Sequence, residues 1–404
     1  MSTTTIQPNI PTTALDLMSE ATASDPWPLL REIRELGPVV WHTGYKRWII
    51  TTDRAVRKVV SDFRNFTVEG TTAADLFGAD AFISSDDRPY HDSLRDVWMP
   101  AFRKQGLDLL RPTLQTMVDG LIKPIAERLH SGDTVELSSA LCRPLPTMVI
   151  AAMMGVPDSM QADVVRWSDA MAAGGSAYLG EEEAQRRRLA RDEAKAALAE
   201  FLSEQIVERR AHPGSDLISA MVHSKPASAL SDAQIVQNVR QLLFAGNETT
   251  AKWLAQIFVT YAQEHAVRRE LVNNRALIAA ANDEVMRWQG VVGSLVRRVR
   301  NGPIEVAGVE LADGDEVTCL LVAANRDPER YENPDQFDIH RPHQPNLGFG
   351  FGFHNCLGLA LAKLEAEIAV NGIFDTVPEF VLGGAYQYSS IPMRGPLPVL
   401  IKKG

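Results

Sequence analysis

Apolar residues recur at helical spacing over most of the chain, whereas the alternation typical of strands is confined to short stretches. Helices broken by Gly or Pro are predicted over residues 90–130, 141–172, 181–211 and 231–289, after a short amphipathic helix over 25–36. Strands are predicted as a hairpin over 39–41 and 48–50, and later over 304–306, 309–311, 317–322 and 397–401. This pattern predicts a mainly α protein with a smaller β portion.

Two segments lack any periodicity. Residues 1–24 are rich in Thr, Ser and Pro, which predicts a flexible N-terminal arm before a single domain over 25–404. Residues 325–355 are rich in Pro, Asn, Asp, Gly and His, and they exceed the ~15 residues that a loop without secondary structure usually spans. We therefore expect this long loop to have a function.

Composition and charge exclude several classes of protein. Lys and Arg number 41 against 51 Asp and Glu, and the net charge of −10 argues against nucleic-acid binding. The three cysteines (Cys142, Cys319 and Cys356) are too few and too widely spaced for a disulfide framework or a CxxC metal site. The longest apolar run, near 145–156, falls short of the ~20 residues that cross a bilayer. We expect a cytoplasmic monomer that binds neither nucleic acid nor membrane.

The long loop ends in the string FGFGFHNCLG over 349–358. Apolar residues follow at helical spacing, so Cys356 is predicted at the start of a helix, where backbone N–H groups and the helix dipole favour a thiolate. Gly350 and Gly352 would bring the backbone close to a flat ligand. The alternative is a buried cysteine that acts as a small apolar residue.

A second unusual string lies inside the last long helix. Ser231 and Gln234 form a capping box, and apolar spacing then continues for more than 30 residues. The middle reads AGNETT over 245–250, where Gly246 alone costs about 1 kcal/mol relative to Ala. We expect a local groove or widened turn there. Alternatively, Gly246 only permits close packing, with Glu248 and Thr249 facing solvent.

Both strings resemble signatures of the cytochrome P450 family, F-G-x-G-x-H-x-C-L-G and A-G-x-[D/E]-T-[T/S]. The resemblance implies the family's triangular prism, with haem b (iron protoporphyrin IX) between the central helix and the cysteine helix. It implies that Cys356 binds the iron and that Thr249 and Glu248 are catalytic, delivering protons during oxygen activation. Further haem contacts implied in these strings are Phe349, Gly350, His354, Gly358 and Ala245.

Other landmarks of the family occur in the same order. Glu284 and Arg287 match its E-x-x-R motif, and Arg341 stands where a third member of that triad is expected, which implies a structural role in holding the cysteine loop. His91 and Arg95, together with His354, are expected to bind the haem propionates. Arg298 is expected to join them, and its spacing to Gly308 favours it over the adjacent Arg297.

The implied activity is that of a monooxygenase that uses O2 and two electrons to hydroxylate a small to medium hydrophobic substrate. Electrons are expected from a separate ferredoxin and ferredoxin reductase, since no cysteine set could hold a cluster. Expected docking contacts are Arg103, Lys104, Arg111 and Lys363. The expected pocket comprises 67–85 with Leu76, Phe77, Phe82 and Ile83, together with Phe244, Ala245 and 292–296. Alternatives are a peroxide-driven haem enzyme or isomerase, and a haem sensor without catalysis.

Overall fold

The computed structural model describes residues 10–173 and 181–404. Helices make up most of it, in line with the sequence pattern. They are α1 Glu20–Ser24, α2 Trp27–Leu36, α3 Asp53–Ser61, α4 Thr72–Phe77, α5 Arg88–Phe102, α6 Lys104–His130, α7 Pro144–Met153, α8 Asp158–Ala173, α9 Glu181–Ala211, α10 Leu217–Val222, α11 Asp232–Gln263, α12 His265–Asn273, α13 Ile278–Gln289, α14 Leu321–Ala324 and α15 Leu359–Thr376.

The smaller β portion consists of short strands. They are β1 Thr12–Thr13, β2 Val39–His42, β3 Arg47–Ile50, β4 Phe66–Thr67, β5 Val135–Glu136, β6 Ser294–Val299, β7 Ile304–Val306, β8 Val309–Leu311, β9 Glu316–Leu320, β10 Phe380–Leu382, β11 Gln387–Tyr388, β12 Pro396–Leu397 and β13 Leu400–Lys403. The main sheet has the order β1-β2-β3-β9-β6-β4, a second sheet has the order β10-β13-β5, and β7-β8 and β11-β12 form separate pairs.

Most predicted elements occur where the local pattern placed them. The hairpin of β2 and β3 pairs Trp41 with Trp48, and α9 has the predicted bounds. The predicted strand over 317–322 is too long: β9 ends at Leu320, and the apolar run continues into α14. All four residues of α14 are buried, and periodicity alone cannot distinguish a buried strand from a buried helical turn.

The expected flexible arm is wrong for residues 10–24. Thr12 and Thr13 pair in parallel with β2, and Leu17 and Ala23 are buried in the protein. The backbone carbonyl of Ala23 accepts a hydrogen bond of 2.5 Å from Arg394, near the other end of the chain. This segment is therefore held by backbone pairing and by apolar contact, while residues 1–9 lie outside the described part of the chain.

Helix α11 forms the centre of the helical core. The predicted capping box is confirmed: Ser231 Oγ accepts the N–H of Gln234 at 3.3 Å, and Gln234 Oε1 accepts the N–H of Ser231 at 3.0 Å. The helix then runs for 32 residues and packs against α7, α8, α9, α13 and α15. Because it is enclosed on so many sides, groups on α11 that remain accessible must line a gap between these elements.

A buried ion cluster ties α13 to the long loop. Arg287 donates two hydrogen bonds to Glu284, of 2.7 and 2.6 Å, and Arg341 donates a third, of 3.2 Å. Arg287 also donates to the carbonyl of Asn325, whose side-chain oxygen accepts the N–H of Leu347 at 2.7 Å. The triad thus holds the segment that leads into the cysteine loop, as expected from its motif.

Among the described residues, no helix is both long enough and apolar enough to span a bilayer.

Replacing Glu284 by Gln should destabilise the protein strongly, because Arg287 and Arg341 would keep their charges with no carboxylate between them. Breaking a buried ion pair from one side costs about 3–5 kcal/mol. Urea denaturation should show this loss for Glu284→Gln, whereas Asp108→Asn, which breaks the exposed pair with Lys104, should change the unfolding free energy by less than about 1 kcal/mol. Equal effects of the two substitutions on the unfolding free energy would contradict a special contribution of the buried triad to stability.

Candidate active site

The cysteine loop approaches the N-terminus of α15 as a tight turn. Helix α15 begins at Leu359 with Gly358 as its N-cap, so Cys356 lies three residues before the helix rather than within it. The N–H of Cys356 bonds the carbonyl of Phe349 at 2.9 Å, which closes the loop on itself. Gly350 has φ of 74°, a left-handed conformation that favours glycine, so the turn depends on this residue.

Cys356 is exposed to solvent, although protein atoms pack around its sulfur. This burial raises the pKa of the thiol, while the Gly358 N–H, the Arg95 charge and the Leu359 N–H lower it. The two N–H groups favour the thiolate, as expected, but burial outweighs them and the net shift of the pKa is upward.

Four side chains gather beside Cys356. Arg95 donates two hydrogen bonds to Asn355, of 2.8 and 3.0 Å, which fastens α5 to the residue before the cysteine. The rings of His91 and His354 lie 5.0 Å apart between centroids. Arg297 is the fourth member, and its positive charge acts on His354. The structure therefore brings together residues from α5, β6 and the cysteine loop.

Arg297 and Arg298 lie on opposite faces of β6, because neighbouring residues of a strand point to opposite faces. Arg297 is 5% exposed, and its charge acts on His354. Arg298 has a side chain that is 41% exposed and pairs with Glu316 at 3.3 Å. Arg298 shares its face with Val296, an expected pocket residue, so the structure does not contradict Arg298 as a propionate partner, and the buried Arg297 is a second candidate.

The two histidines each keep one buried ring nitrogen without a hydrogen-bond partner in the described structure: Nε2 of His91 and Nδ1 of His354. Burial lowers the pKa of His91 to about 4 and also lowers that of His354. A carboxylate brought to these nitrogens would have the opposite effect, since it favours the protonated ring. Two orphaned nitrogens beside two arginines are the groups that buried carboxylates require.

Asp86 was not anticipated from the sequence. Its carboxylate is fully buried, lies 3.0 Å from Nε2 of His354 and accepts the N–H of Val68 at 2.9 Å. Burial raises the pKa of Asp86, but hydrogen bonds from His354, Thr67 and Val68 outweigh this, so the net shift is downward. Asp86 therefore fixes the His354 ring and leaves Nδ1 directed elsewhere. The two partners are 268 positions apart in the sequence, so no sequence motif indicates this contact.

The middle of α11 crosses near the cysteine loop. Phe349 meets Trp253 edge to face with centroids 5.4 Å apart, and Trp253 follows Thr249 by one helical turn. Ala245, Glu248 and Thr249 are half-buried, as is Gly246, whereas Phe244, Asn247 and Thr250 are buried. These three positions therefore face a gap within the protein.

The expected widened turn is not found, because α11 is helical without interruption through this string. The Thr249 hydroxyl instead donates to the carbonyl of Ala245 at 2.9 Å. A Cβ at Gly246 would meet Ile150 of α7 at 3.6 Å, an ordinary van der Waals contact, so the packing against α7 does not require a glycine there. The hydroxyl of Thr249 and the carboxylate of Glu248 are the groups of this string that can act chemically.

Glu248 is held by a partner on its own helix. Lys252, one turn later, lies 2.8 Å from the Glu248 carboxylate and also donates to the carbonyl of Met393 at 2.9 Å. A second carboxyl belongs to Asp169 of α8: burial raises its pKa, Arg143 lowers it, and Glu248 raises it further. Neither Lys252 nor Asp169 was expected. Glu248 and Lys252 are four residues apart on one helix, a spacing from which their ion pair could have been predicted.

Most of the side chains named as lining the expected substrate pocket are apolar. Phe77 and Phe244 meet edge to face with centroids 5.8 Å apart, and Phe82 is buried beside them on the same segment. The half-buried residues Ile83, Val292 and Val296 are also apolar. The Leu76 side chain lies outside the described part of the structure.

These residues fit haem b. The exposed Cys356 suits an iron that takes one protein ligand, and two orphaned histidine nitrogens with Arg95 and Arg297 suit two propionates. Among the described residues, no group of three or more His, Cys, Asp or Glu side chains could hold a bare metal ion. A metal that arrives inside a porphyrin needs only one ligand from the protein.

Comparison with known proteins agrees with this fit to haem b. The family model for cytochrome P450 matches residues 34–376. Cytochrome P450 monooxygenase PikC of Streptomyces venezuelae is 30% identical over 98% of this chain and 95% of that protein, and vitamin D3 dihydroxylase of Streptomyces griseolus is 32% identical over 84% and 82%. The crystal structure of CYP109E1 from Bacillus megaterium in complex with testosterone matches with a TM-score of 0.86 and 26% identity, over 96% of this chain and 100% of that one.

The family match extends over the central helix, the E-x-x-R triad and the cysteine loop, which are the parts of the chain that carry the motifs. The mostly helical fold with its smaller sheet portion agrees with it. The chain therefore belongs to the cytochrome P450 family, a family of monooxygenases that bind haem b through a cysteine thiolate.

Proposed function

We propose that this chain oxidises a small to medium hydrophobic molecule with O2, that Cys356 is its iron ligand, and that a separate ferredoxin and ferredoxin reductase supply the electrons. The observation that carries the proposal is Cys356, which is exposed to solvent at the end of a loop that directly precedes the N-terminus of α15. Haem held through Cys356 would supply the redox chemistry of O2 activation.

The propionates of the haem would be held by the cluster beside Cys356. Arg297 contributes a buried charge, and Arg95 contributes a second charge while it fixes Asn355. The orphaned nitrogens of His91 and His354 supply two more donors once their rings are protonated. Asp86 supports a protonated His354, because its carboxylate accepts from the opposite side of the ring.

Proton delivery is assigned to Thr249 and Glu248. The Thr249 hydroxyl can turn from the Ala245 carbonyl to hold a water molecule or a reacting oxygen, since a hydroxyl both donates and accepts. Glu248 exchanges protons with solvent, and its side chain is 15% exposed. Lys252 lies 2.8 Å from the Glu248 carboxylate, so a proton transferred to this carboxylate would break that salt bridge.

Electrons would enter on the outer side of the cysteine loop. A depression of about 330 Å³ lies there, lined by Phe349, Phe351, Asn355 and Leu359 among others. Lys363 lies at its edge, 2.6 Å from Asp283, while Lys104 and Arg111 also pair with local carboxylates. Arg103 is exposed and forms no salt bridge within the described structure, which makes it the most available contact for an acidic partner.

The apolar pocket residues support a hydrophobic substrate. Relatives named for vitamin D3 hydroxylation and for binding testosterone act on or bind molecules of that character. The cytoplasm is the proposed location, since Cys142 and Cys319 are buried as free thiols, which suits a reducing compartment.

Arg297→Gln should weaken haem binding, while Arg298→Gln should leave it near wild type. Loss of one charge-assisted hydrogen bond to a propionate corresponds to about a tenfold or larger change in haem retention. The rate of haem transfer to apomyoglobin measures this directly. Faster loss from the Arg298 variant than from the Arg297 variant would reverse the assignment on β6.

Thr249→Ala should divert reducing equivalents from product to hydrogen peroxide, because the hydroxyl that guides protons is lost. Coupling should fall by about tenfold or more, a modest share of what general acid catalysis supplies. Product and peroxide formed per reduced nicotinamide consumed are measured with a surrogate ferredoxin and reductase and any compound that shifts the Soret band. Thr249→Ser should restore coupling, and Thr250→Ala is the matched control. Unchanged coupling in Thr249→Ala would refute this role.

A further inference from the structure

The N-terminal half of α11 carries polar side chains that form hydrogen bonds with the backbone of residues 77–83. Asn238 Oδ1 accepts the N–H of Phe82 at 2.9 Å, and Gln237 Oε1 accepts that of Asp80 at 3.2 Å. A Cβ at Gly78 would lie 2.0 Å from the same Gln237 oxygen, so the segment is pressed against the helix. Each of these side chains has a structural task that accounts for it.

Arg240 lies in the same part of α11, but contacts within the protein satisfy only part of its guanidinium group. One guanidinium nitrogen donates to the carbonyl of Phe77 at 3.0 Å, while Nε is buried without a partner. Within the described structure, no carboxylate lies within 4.0 Å of this guanidinium. Burial alone lowers the pKa of Arg240, with no carboxylate raising it. A half-buried cation without an anion is costly, so a compensating anion is expected from outside the chain.

The position of Arg240 points to the substrate pocket. Phe244 follows it by one helical turn and meets Phe77, whose carbonyl Arg240 binds. Thr249 follows Arg240 by nine residues, a rise of about 14 Å along the helix axis. The cation therefore lies at the Phe77–Phe244 end of the pocket wall, remote from the hydroxyl assigned to oxygen activation.

We propose that Arg240 binds the carboxylate of the substrate, which is a hydrophobic monocarboxylic acid oxidised at a carbon far from that carboxylate. This inference rests on the proposed monooxygenase function and names its substrate class. A carboxylate suits a guanidinium because the two form paired, charge-assisted hydrogen bonds. A further unpartnered donor, the buried Ser84 hydroxyl, occurs on the segment that lines the pocket.

A purely structural role for Arg240 would be to bind the carbonyl at the end of α4. Glutamine can also donate to that carbonyl but carries no charge, so Arg240→Gln separates the two roles. Arg240→Lys keeps the charge and loses the planar fork. Arg210→Gln is the matched control, because it removes an exposed arginine that pairs with Asp232 at the start of α11.

The experiment titrates the haem-loaded protein with acids and with their uncharged amides, and follows the Soret band. The probe pairs are 4-butylbenzoic acid with 4-butylbenzamide, and decanoic acid with decanamide. Wild type and Arg210→Gln should bind each acid at least about tenfold more tightly than its amide. Arg240→Gln should remove this preference by weakening only the acids, and Arg240→Lys should retain part of it.

Equal or tighter binding of the amides by wild type would overturn the proposal, as would a preference for acids that survives in Arg240→Gln. Imidazole binding to the haem shows whether the pocket is open. If imidazole shifts the Soret band while no acid does, the proposal for Arg240 fails and the monooxygenase assignment stands. If the protein takes up no haem at all, the proposed function itself fails.

Discussion

The structure depends on holding one sulfur atom next to a helix N-terminus. The chain achieves this by closing the loop on itself, because the N–H of Cys356 donates to the carbonyl of Phe349. The N–H groups of Gly358 and Leu359 face the sulfur and lower the pKa of its thiol, while burial raises it. Much of the surrounding structure fixes the position of this loop.

Rigid support reaches this loop from two directions. From one side the buried Glu284–Arg287 pair holds the segment at Asn325, and Asn325 holds Leu347. From the other side α5 contributes Arg95, which binds Asn355 directly. Because the sulfur lies between these anchors, its position relative to α11 is set by packing and buried polar contacts from several elements at once.

Local features of the fold were predictable from the sequence, and tertiary ones were not. The capping box at Ser231, the hairpin around Trp41 and the bounds of α9 follow from residues close in sequence. The choice between Arg297 and Arg298 depends on which face of β6 is buried, and that face is set by pairing with β9 and β4. The contact between Asp86 and His354, and the packing of residues 10–24, also depend on segments distant in sequence.

The identity of the iron ligand is the central claim, and the carbon monoxide difference spectrum of the reduced protein tests it most directly. Wild type, Cys142→Ser and Cys319→Ser should all show the long-wavelength Soret band that is characteristic of thiolate ligation, and Cys356→Ser should lose it. Retention of that band in Cys356→Ser, or its absence from haem-loaded wild type, would contradict the account.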